Sequence, residues 1–439
     1  MLRLPSECLW RGVGGPYLGP DVQHSPPNTP RQVKVLYLVT AYARDPADVI
    51  TPWLVETIRR LRARGVHVEV LAPAYRGLPT QTVEGVRVHR FRYAPRPWET
   101  LTHDQTAPDR IREKPWFLGL VPGYVAAGSR AAAKVARDGG FDVLHAFWPI
   151  PQGLLGLYAK RRTGLPLVST FFGVELTWME RQFPFLAPLL RRMVRGSDAV
   201  TAISSYTAGR LAAQVPGADA AIIPFGAAVD APAQPPPYTY DGTRPFELLF
   251  VGRLVERKGV HLLLDALASR SPDRRVILNV AGDGPDRAKL EEQARRLGLG
   301  ERAVFHGFVT KDELQRRLET CDAFVLPAVI DAKGDTEGLG VVLIEAMSYA
   351  RPVIASAAGG IVDIVSDGRN GFLVPPGDAA ALADAIGRMM DDPRMARELG
   401  LNGREDVERG FSWDVIADRL AEIYRRVTRR RDGTPSAAE

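Results

Sequence analysis

The sequence is poor in cysteine, and its two cysteines, Cys8 and Cys321, lie more than half the chain apart. Two thiols at this separation make neither a disulfide framework nor the paired spacing of a zinc site. The composition therefore favours a reducing compartment, and we expect a cytoplasmic protein. There is also no Asp-x-Asp at the end of an expected strand and no His/Cys cluster, so the sequence predicts no metal site.

Long apolar runs are missing as well. The nearest candidates, 115–129 and 145–159, are interrupted by Pro and Gly, and neither reaches the ~20 residues that span a bilayer. Residues 1–31 lack the charged start and apolar core of a signal peptide, and we interpret them as a flexible extension. A transmembrane anchor is not expected.

Lysine is scarce, because only eight of the 57 basic residues are Lys. The net charge of +6 is a modest excess for 439 residues and does not indicate a nucleic-acid partner. Against a background that so strongly prefers Arg, Lys258 and Lys333 stand out, since each is followed by a glycine. They are candidate functional cations.

What the chain contains is an alternation of strands and helices. Residues 33–39 form a continuous apolar run typical of a central parallel strand. Thr51 followed by Pro52 predicts a helix start, with Thr as the N-cap. The next strand begins at His67, which completes a βαβ unit, and the alternation continues to residue 224. This pattern predicts a parallel sheet with helices on its faces.

The same opening recurs after a linker. Residues 226–245 are dense in Pro and Ala, and 246–251 is then a second buried strand, followed by a helix at 260–268. The fold class is therefore α/β, with two tandem Rossmann-like domains facing a central cleft. We expect an N-terminal domain at 32–228, a linker at 229–245 and a C-terminal domain at 246–411. A final helix at 412–430 and a flexible tail at 431–439 would follow.

The stretch 328–360 concentrates the chemistry. Glu345 lies inside an apolar run and needs a polar partner once it is buried. Glu337 comes just before Gly338-Leu339-Gly340, and a helix at 341–350 would begin directly after these glycines. Free N–H groups at such a helix start suit an anion such as a diphosphate. The alternative is an ordinary turn, with Glu345 in a salt bridge.

A second glycine-bounded loop, 252–259, follows the strand 246–251. Arg253 offers a rigid fork of donors and Lys258 a compact charge, and ligands of open α/β sheets bind at the carboxyl ends of strands. Together these two cations would neutralise a diphosphate. Solvated surface charge is the alternative interpretation.

These motifs resemble those of the retaining glycosyltransferases of family 4, also called glycosyl transferases group 1, which have the GT-B architecture. The similarity covers the E-x7-E pair Glu337 and Glu345, the G-R-L…K-G loop, and the segments GLGVVLIEAM, PVIAS, GG and NGFLVPPGD. It implies that Glu337 contacts the donor sugar, that Glu345 binds the ribose, and that Arg253 and Lys258 stabilise the leaving diphosphate without a metal. It also implies that the last helix crosses back to the first domain.

Further contacts to the nucleotide are implied by the same resemblance. They involve Gly252, Gly282, Gly284, Phe308, Val309, Gly338, Leu339 and Gly340. The turn at 282–284 is also consistent with a turn that has no other role. The loop after Gly307 would contact the base through backbone groups, while we expect the side chain of Phe308 to pack in the core.

The acceptor side carries weaker motifs. The resemblance places His145, Gly173 and Glu175 there, but the sequence departs from the family pattern. Phe147 occupies the second position of a common histidine pair, and Phe172 occupies the histidine position of a segment that commonly reads F-H-G-x-D. The role of that histidine therefore cannot be transferred to this chain.

We therefore expect an enzyme that moves a hexose from a nucleotide diphosphate sugar to a hydroxyl of a glycan or lipid-linked acceptor, without a cofactor. A nucleotide-sugar epimerase and a non-catalytic binding subunit are the alternatives. The basic amphipathic stretches 112–137 and 178–195 have two interpretations: contact with the inner face of a membrane, or helices packed on their own sheet with Arg outward.

Overall fold

The computed structural model describes residues 32–431, apart from 47, 49, 105–106, 182, 228, 270–275 and 333, and without the side chains of 108–109. The expected extension at 1–31 and all but the first residue of the expected tail lie outside the described residues. So does Lys333.

The first half of the chain alternates strands and helices as expected. Its strands are β1 (Val33–Leu38), β2 (Val66–Pro73), β3 (Gln81–Val83), β4 (Val86–Phe91), β5 (Val143–Phe147), β6 (Leu167–Phe171), β7 (Ala199–Ala202) and β8 (Ala221–Ile222). Its helices are α1 (Pro52–Arg62), α2 (Ala107–Glu113), α3 (Val121–Asp138), α4 (Pro149–Thr163), α5 (Val174–Arg181), α6 (Ala187–Gly196) and α7 (Ser205–Gln214).

These strands form one eight-stranded sheet in the order β3-β4-β2-β1-β5-β6-β7-β8. Every pairing is parallel except that of the short edge strand β3 with β4. The connections that follow the parallel strands therefore open at one edge, which we call the carboxyl edge.

The second half repeats the design. Its strands are β9 (Phe246–Val251), β10 (Val276–Ala281), β11 (Ala303–Gly307), β12 (Ala323–Leu326), β13 (Val353–Ser356) and β14 (Phe372–Val374). Its helices are α8 (Val260–Ala268), α9 (Arg287–Arg296), α10 (Lys311–Thr320), α11 (Val341–Ser348), α12 (Ala379–Asp391), α13 (Pro393–Gly410) and α14 (Trp413–Arg431). The sheet is parallel throughout, in the order β11-β10-β9-β12-β13-β14.

Helix α14 returns to the first sheet. Its buried side chains Ile416, Leu420 and Tyr424 pack in one core with α1 and with the side chains of β1 that face them. The opposite face of that sheet is covered by α3, α4 and α6. The expected crossover of the last helix is confirmed. The residue limits of the two domains stay a prediction.

One local expectation was wrong. Thr51 does not cap α1 through its side chain: its φ of 51° is left-handed, and its buried hydroxyl finds no partner among the described atoms. Helix α13 (Pro393–Gly410) was not among the helices expected from the sequence. That helix is rich in charged residues, and its few apolar side chains, such as Leu399 and Val407, are buried by packing against the core of the second half.

No helix in the described part of the chain combines the length and the apolar character that crossing a bilayer requires.

Candidate functional site

A cavity of about 160 Å³ lies between the two halves. The first half contributes Phe172, Gly173, Val174, Thr177, Tyr206, Thr207 and Arg210, and the second contributes Arg257, Asp335, Thr336, Glu337 and Gly338. Sites for drug-sized ligands typically measure roughly 300–1,000 Å³. This cavity by itself is therefore too small to enclose a whole nucleotide sugar.

Glu337, which lines this cavity, forms an ion pair with Lys258. The side chains of Lys258 and Glu337 are only 11% and 12% exposed, and Arg257 lies 3.5 Å from the same carboxylate, measured from Nη1 to Oε2. Burial would raise the pKa of Glu337, but Lys258, then Arg257 and the Leu339 N–H, together lower it below its ordinary value. The carboxylate is thus held in its charged form.

Glycines let the loops that carry this pair approach one another. A Cβ on Gly259 would lie 1.7 Å from the carbonyl oxygen of Pro327, and Gly259 has a left-handed φ of 70°. A Cβ on Gly359 would lie 1.9 Å from the carbonyl oxygen of Glu337. The glycines of the sequence motifs are therefore required by backbone contacts around the pair.

Helix α11 begins directly after Gly340, which has a φ of 95°. Leu339 is buried in the core, and Gly338 lines the cavity. Glu345 is 5% exposed and lies more than one turn into α11. The structure thus places Glu345 in the interior of the second half and Glu337 at the cleft.

Arg253 is separate from the pair. Its side chain is exposed, does not line the cavity, and has no hydrogen bond or ion pair within the described residues. Its loop is nevertheless close to Lys258, because a Cβ on Gly252 would lie 3.7 Å from Lys258 Cε. The structure brings Lys258 and Glu337 together and leaves Arg253 at the surface.

The turn at 282–284 packs on the Gly252 loop. Gly282 donates to the Gly307 carbonyl at 2.8 Å, and a Cβ on Gly282 would lie 1.9 Å from the carbonyl oxygen of Gly252. A Cβ on Gly284 would lie 2.3 Å from the Leu254 carbonyl oxygen. Backbone packing explains both glycines, and their contact with a nucleotide stays a prediction.

Phe308 does not pack in the core. It is 88% exposed, whereas the neighbouring Val309 packs partly against the core. The expectation of a buried Phe308 is therefore wrong: the chain leaves β11 through Gly307, at a φ of 70°, and directs the next side chain outward.

On the acceptor side, Gly173 and Glu175 have different positions. Gly173 lines the cavity with a φ of 98°. Glu175 is 2% exposed and lies behind the cavity wall, where its Oε1 accepts from the Phe172 N–H at 2.7 Å. Burial raises the pKa of Glu175 to about 7, against the opposing effect of the N–H groups around it and of Arg210. Glu175 therefore holds the loop and does not face the cleft.

His145 lies away from the cavity. It is fully buried, with Nδ1 2.6 Å from the Tyr424 hydroxyl and Nε2 2.7 Å from the Thr170 hydroxyl. Burial lowers the pKa of His145 to about 3. We correct the expectation accordingly: His145 is a structural residue that links α14 to the first sheet.

Aromatic rings stand where the family has histidines. Phe172 lines the cavity and stacks on Trp148, with ring centroids 4.3 Å apart, while Trp53 and Phe225 lie at 5.5 Å from the same ring. Phe147 is buried beside His145. The cavity wall at Phe172 is therefore apolar.

Several residues of the cavity were not predicted from the sequence. Arg257 is adjacent to Lys258 and could have been predicted from the same motif. Tyr206, Thr207 and Arg210 lie on α7, which follows the carboxyl end of β7, so the rule that sites form at this edge would have found them. Arg210 is anchored by Thr177, 2.5 Å away, and by an ion pair with Glu180.

The described residues include no group of three His, Cys, Asp or Glu side chains arranged to hold a metal ion. Independence from metals stays a prediction about the reaction.

Two family models match the chain. The model described as Glycosyltransferase Family 4 matches residues 53–230, and the model described as Glycosyl transferases group 1 matches residues 241–406. Together they span both halves and the segments that form the cavity.

Among curated proteins, a GDP-mannose-dependent α-(1-6)-phosphatidylinositol monomannoside mannosyltransferase of Mycolicibacterium smegmatis is 33% identical over 285 residues. These residues make up 62% of this chain and 73% of the relative. Among solved structures, sucrose-phosphate synthase from Thermosynechococcus elongatus superposes with a TM-score of 0.70 at 25% identity, covering 90% of this chain and 99% of that one. Anabaena HepE in complex with UDP gives a TM-score of 0.66 at 21% identity, covering 90% and 100%, and this likeness supports the fold alone.

The family models cover more than half of the chain, and the mycobacterial relative is matched over more than two thirds of its own length. The two parallel sheets with a cleft between them are those of the GT-B fold. The chain is therefore a glycosyltransferase and belongs to family 4, the glycosyl transferases group 1.

Proposed function

We propose that this glycosyltransferase moves a hexose from a nucleotide diphosphate sugar to a hydroxyl group of a glycan or lipid-linked acceptor, with retention of the anomeric configuration. The observation that carries the proposal is the ion pair between Lys258 and Glu337, of which Glu337 lines the cavity. A cation for the leaving group and a carboxylate for the sugar thus stand side by side.

The donor lies against the second half. Lys258, Arg253 and the free N–H groups at the start of α11 stabilise the negative charge that develops on the leaving diphosphate. Glu337 orients the sugar, and Glu345 binds the ribose. The loops at Gly252, Gly282 and Phe308 lie at the carboxyl ends of neighbouring strands, where a nucleotide would extend outside the small cavity.

The names of similar proteins support a nucleotide-sugar donor. The mycobacterial relative is described as GDP-mannose-dependent and as acting on a phosphatidylinositol monomannoside, and HepE was solved with UDP. We therefore infer a role in glycan or glycolipid synthesis, with GDP-mannose and UDP-glucose as the first donors to test.

The acceptor enters from the first half. Tyr206, Thr207 and Arg210 offer hydrogen bonds, and Phe172 offers an apolar face. Because Phe172 offers no base, the proton of the attacking hydroxyl passes to an oxygen of the leaving diphosphate on the same face of the sugar. The bond from the anomeric carbon to the diphosphate breaks as the bond to the acceptor oxygen forms, and closure of the cleft excludes water.

The test is a transfer assay with purified protein. Each donor is incubated with a glycolipid acceptor, and release of the nucleoside diphosphate and the anomeric configuration of the product are followed by NMR. Retention with acceptor-dependent release supports the proposal. Inversion contradicts it, and conversion of the donor without any acceptor identifies an epimerase. Activity unchanged by EDTA supports a metal-independent reaction.

Replacing Lys258 with Ala should lower kcat by about 10²–10³-fold, the usual loss on removing one preorganised group that stabilises transition-state charge. The matched control is Lys289→Ala, an exposed lysine of α9 with no described partner. Circular dichroism verifies that both variants fold. Unchanged turnover in an Arg253→Ala, Lys258→Ala double variant would rule the scheme out.

A further inference from the structure

A second cavity lies beside the linker, residues 226–245, where the chain passes between the two halves. Its volume is about 430 Å³, within the roughly 300–1,000 Å³ that is usual for small-molecule sites. Its wall includes parts of α1, of the linker at 227 and 229–231, of α13 and of the start of α14. The described residues that line it and those that line the cavity at the cleft are separate sets. We call it the linker cavity.

Hydrogen bonds hold the linker in place along this cavity. Trp413 Nε1 donates to the Ala227 carbonyl at 2.8 Å, and Arg404 Nη2 donates to the Pro232 carbonyl at 2.9 Å. Between these two points, the Tyr349 hydroxyl donates to a linker carbonyl at 3.0 Å. The linker is thus fastened at three places beside the cavity, and the wall exists before any ligand binds. A preformed wall spares a ligand the cost of ordering it.

Aromatic side chains with fixed positions line the linker cavity. Trp53 and Trp413 are each half-buried, so both present part of a ring to the cavity. The ring of Trp53 packs on that of Phe225, with centroids 4.4 Å apart, and Trp413 is fixed by its hydrogen bond to the linker. Val407 and Phe411 extend the apolar surface. The cavity therefore offers rigid apolar faces to a ligand.

The charges of the linker cavity neutralise one another. Every charged residue among its described lining residues is ion-paired with another of them. The pairs are Glu56–Arg60–Asp414, with N···O distances of 2.6 and 3.5 Å, Asp230–Lys311 at 2.8 Å and Arg404–Glu408 at 2.8 Å. A charged ligand would have to break one of these pairs, whereas a neutral ligand would not. The carboxylates and guanidinium groups still have further sites for hydrogen bonds.

We propose that the linker cavity binds a neutral saccharide, with a sugar ring against Trp53 or Trp413 and its hydroxyls bonded to the ion-paired groups. A pyranose ring has C–H groups on its faces, which pack on aromatic rings, and hydroxyls at its edge, which both donate and accept hydrogen bonds. These are the two kinds of surface that the cavity offers. A nucleotide would bring phosphate charge for which the cavity has no unpaired cation among its described lining residues.

The experiment is isothermal titration calorimetry of the full chain, without donor, with four neutral disaccharides: maltose, cellobiose, sucrose and α-1,6-mannobiose. We expect at least one of them to bind with a Kd in the millimolar range or below. Its uronic acid counterpart, in which one hydroxymethyl group is a carboxylate, should bind at least about tenfold more weakly, because its charge enters a cavity whose cations are already paired.

Ala231→Trp should weaken disaccharide binding by about tenfold or more, since a large side chain at this exposed lining position occupies the cavity. The matched control is Ala233→Trp. It puts the same side chain two residues further along the linker, at an exposed position outside the set of described lining residues, and should bind as the wild type does. Circular dichroism verifies that both variants fold.

Glu408→Gln is a second variant, which decides the question if Ala231→Trp is unfolded. It leaves the shape of the wall intact and removes the partner of Arg404. The uronic acid should then bind within about threefold of the neutral disaccharide, because Arg404 is free to pair with its carboxylate. A tenfold preference for the neutral sugar that persists in Glu408→Gln overturns the proposal.

Three further results would overturn it. The first is that none of the four disaccharides binds. The second is equal binding by the wild type and by Ala231→Trp, since the sugar would then lie elsewhere, for example at the cleft. The third is binding of AMP, but of no disaccharide, that Ala231→Trp abolishes, since the cavity would then take a nucleotide. Because no transfer is measured, a failure here is distinct from a failure of the proposed reaction.

Discussion

Among single residues, two buried glutamates of the cleft region have opposite environments. Glu337 faces Lys258 and Arg257, and its pKa is lowered in spite of burial. Glu175 has backbone N–H groups and the more weakly acting Arg210 to oppose its burial, one of its oxygens has no described partner, and burial raises its pKa to about 7. Charge partners, more than burial, decide which carboxyl group stays ionised.

The pH dependence of stability follows from Glu175. The pKa of Glu175 rises from its usual 4.5 to about 7 on folding, so its protonated form is favoured in the folded state. Its contribution to the free energy of unfolding is therefore largest below pH 4.5. That stability is lost as the pH rises to 7 and is absent above it. Glu175→Gln, which resembles the protonated form, should therefore be more stable than the wild type at pH 8, by on the order of 3 kcal/mol.

Melting temperatures of both proteins between pH 5 and pH 9 check this prediction. The difference between variant and wild type should grow with pH and level off above pH 7. A difference that does not change with pH would show that Glu175 keeps its usual pKa.

At the scale of elements, α14 is bound to the first sheet by a buried chain of hydrogen bonds. The Tyr424 hydroxyl lies 2.8 Å from that of Tyr37 and 2.6 Å from His145, and His145 continues the chain to Thr170. The last helix is therefore held by specific polar contacts in addition to its apolar face.

Tyr424→Phe should destabilise the protein by about 2–4 kcal/mol, because it leaves the buried polar groups of Tyr37 and His145 without their partner. Urea titration measures the free energy of unfolding. Tyr158→Phe is the matched control: this half-buried tyrosine of α4 has no described hydroxyl partner, and its replacement should have little effect. An equal loss in both variants would contradict the role of the hydrogen-bonded chain.

At the scale of the whole molecule, the two halves meet at the start of α7. The Ser205 N–H donates to Asp363 Oδ2 at 2.5 Å, and the Ser205 hydroxyl donates to the other oxygen of the same carboxylate. Trp413 Nε1, at the start of α14, donates to the Ala227 carbonyl at 2.8 Å. One contact thus joins the two halves beside the cavity, and the other joins α14 to the segment that connects the halves.

Asp363→Ala should destabilise the contact between the two halves by about 1 kcal/mol, the usual net value of a hydrogen bond. The equilibrium between closed and open arrangements of the halves would then shift about fivefold towards the open one. We expect a larger radius of gyration by small-angle scattering and a higher KM for the donor. Asp384→Ala, at an exposed position of α12 with no described partner, is the control. An unchanged radius and KM would show that closure does not depend on this contact.

The sequence by itself determined the alternation of strands and helices, the two parallel sheets, and the loops that carry Lys258 and Glu337. These depend on local patterns: apolar runs, caps, and glycines that permit close backbone approach. Tertiary structure alone decided that His145 is buried beneath Tyr424, 279 residues later in the chain, and that Phe308 is exposed. It also decided that Arg210 and Arg257 share one cavity. The physical reason is that burial depends on which distant elements pack over a side chain, and no local pattern encodes that.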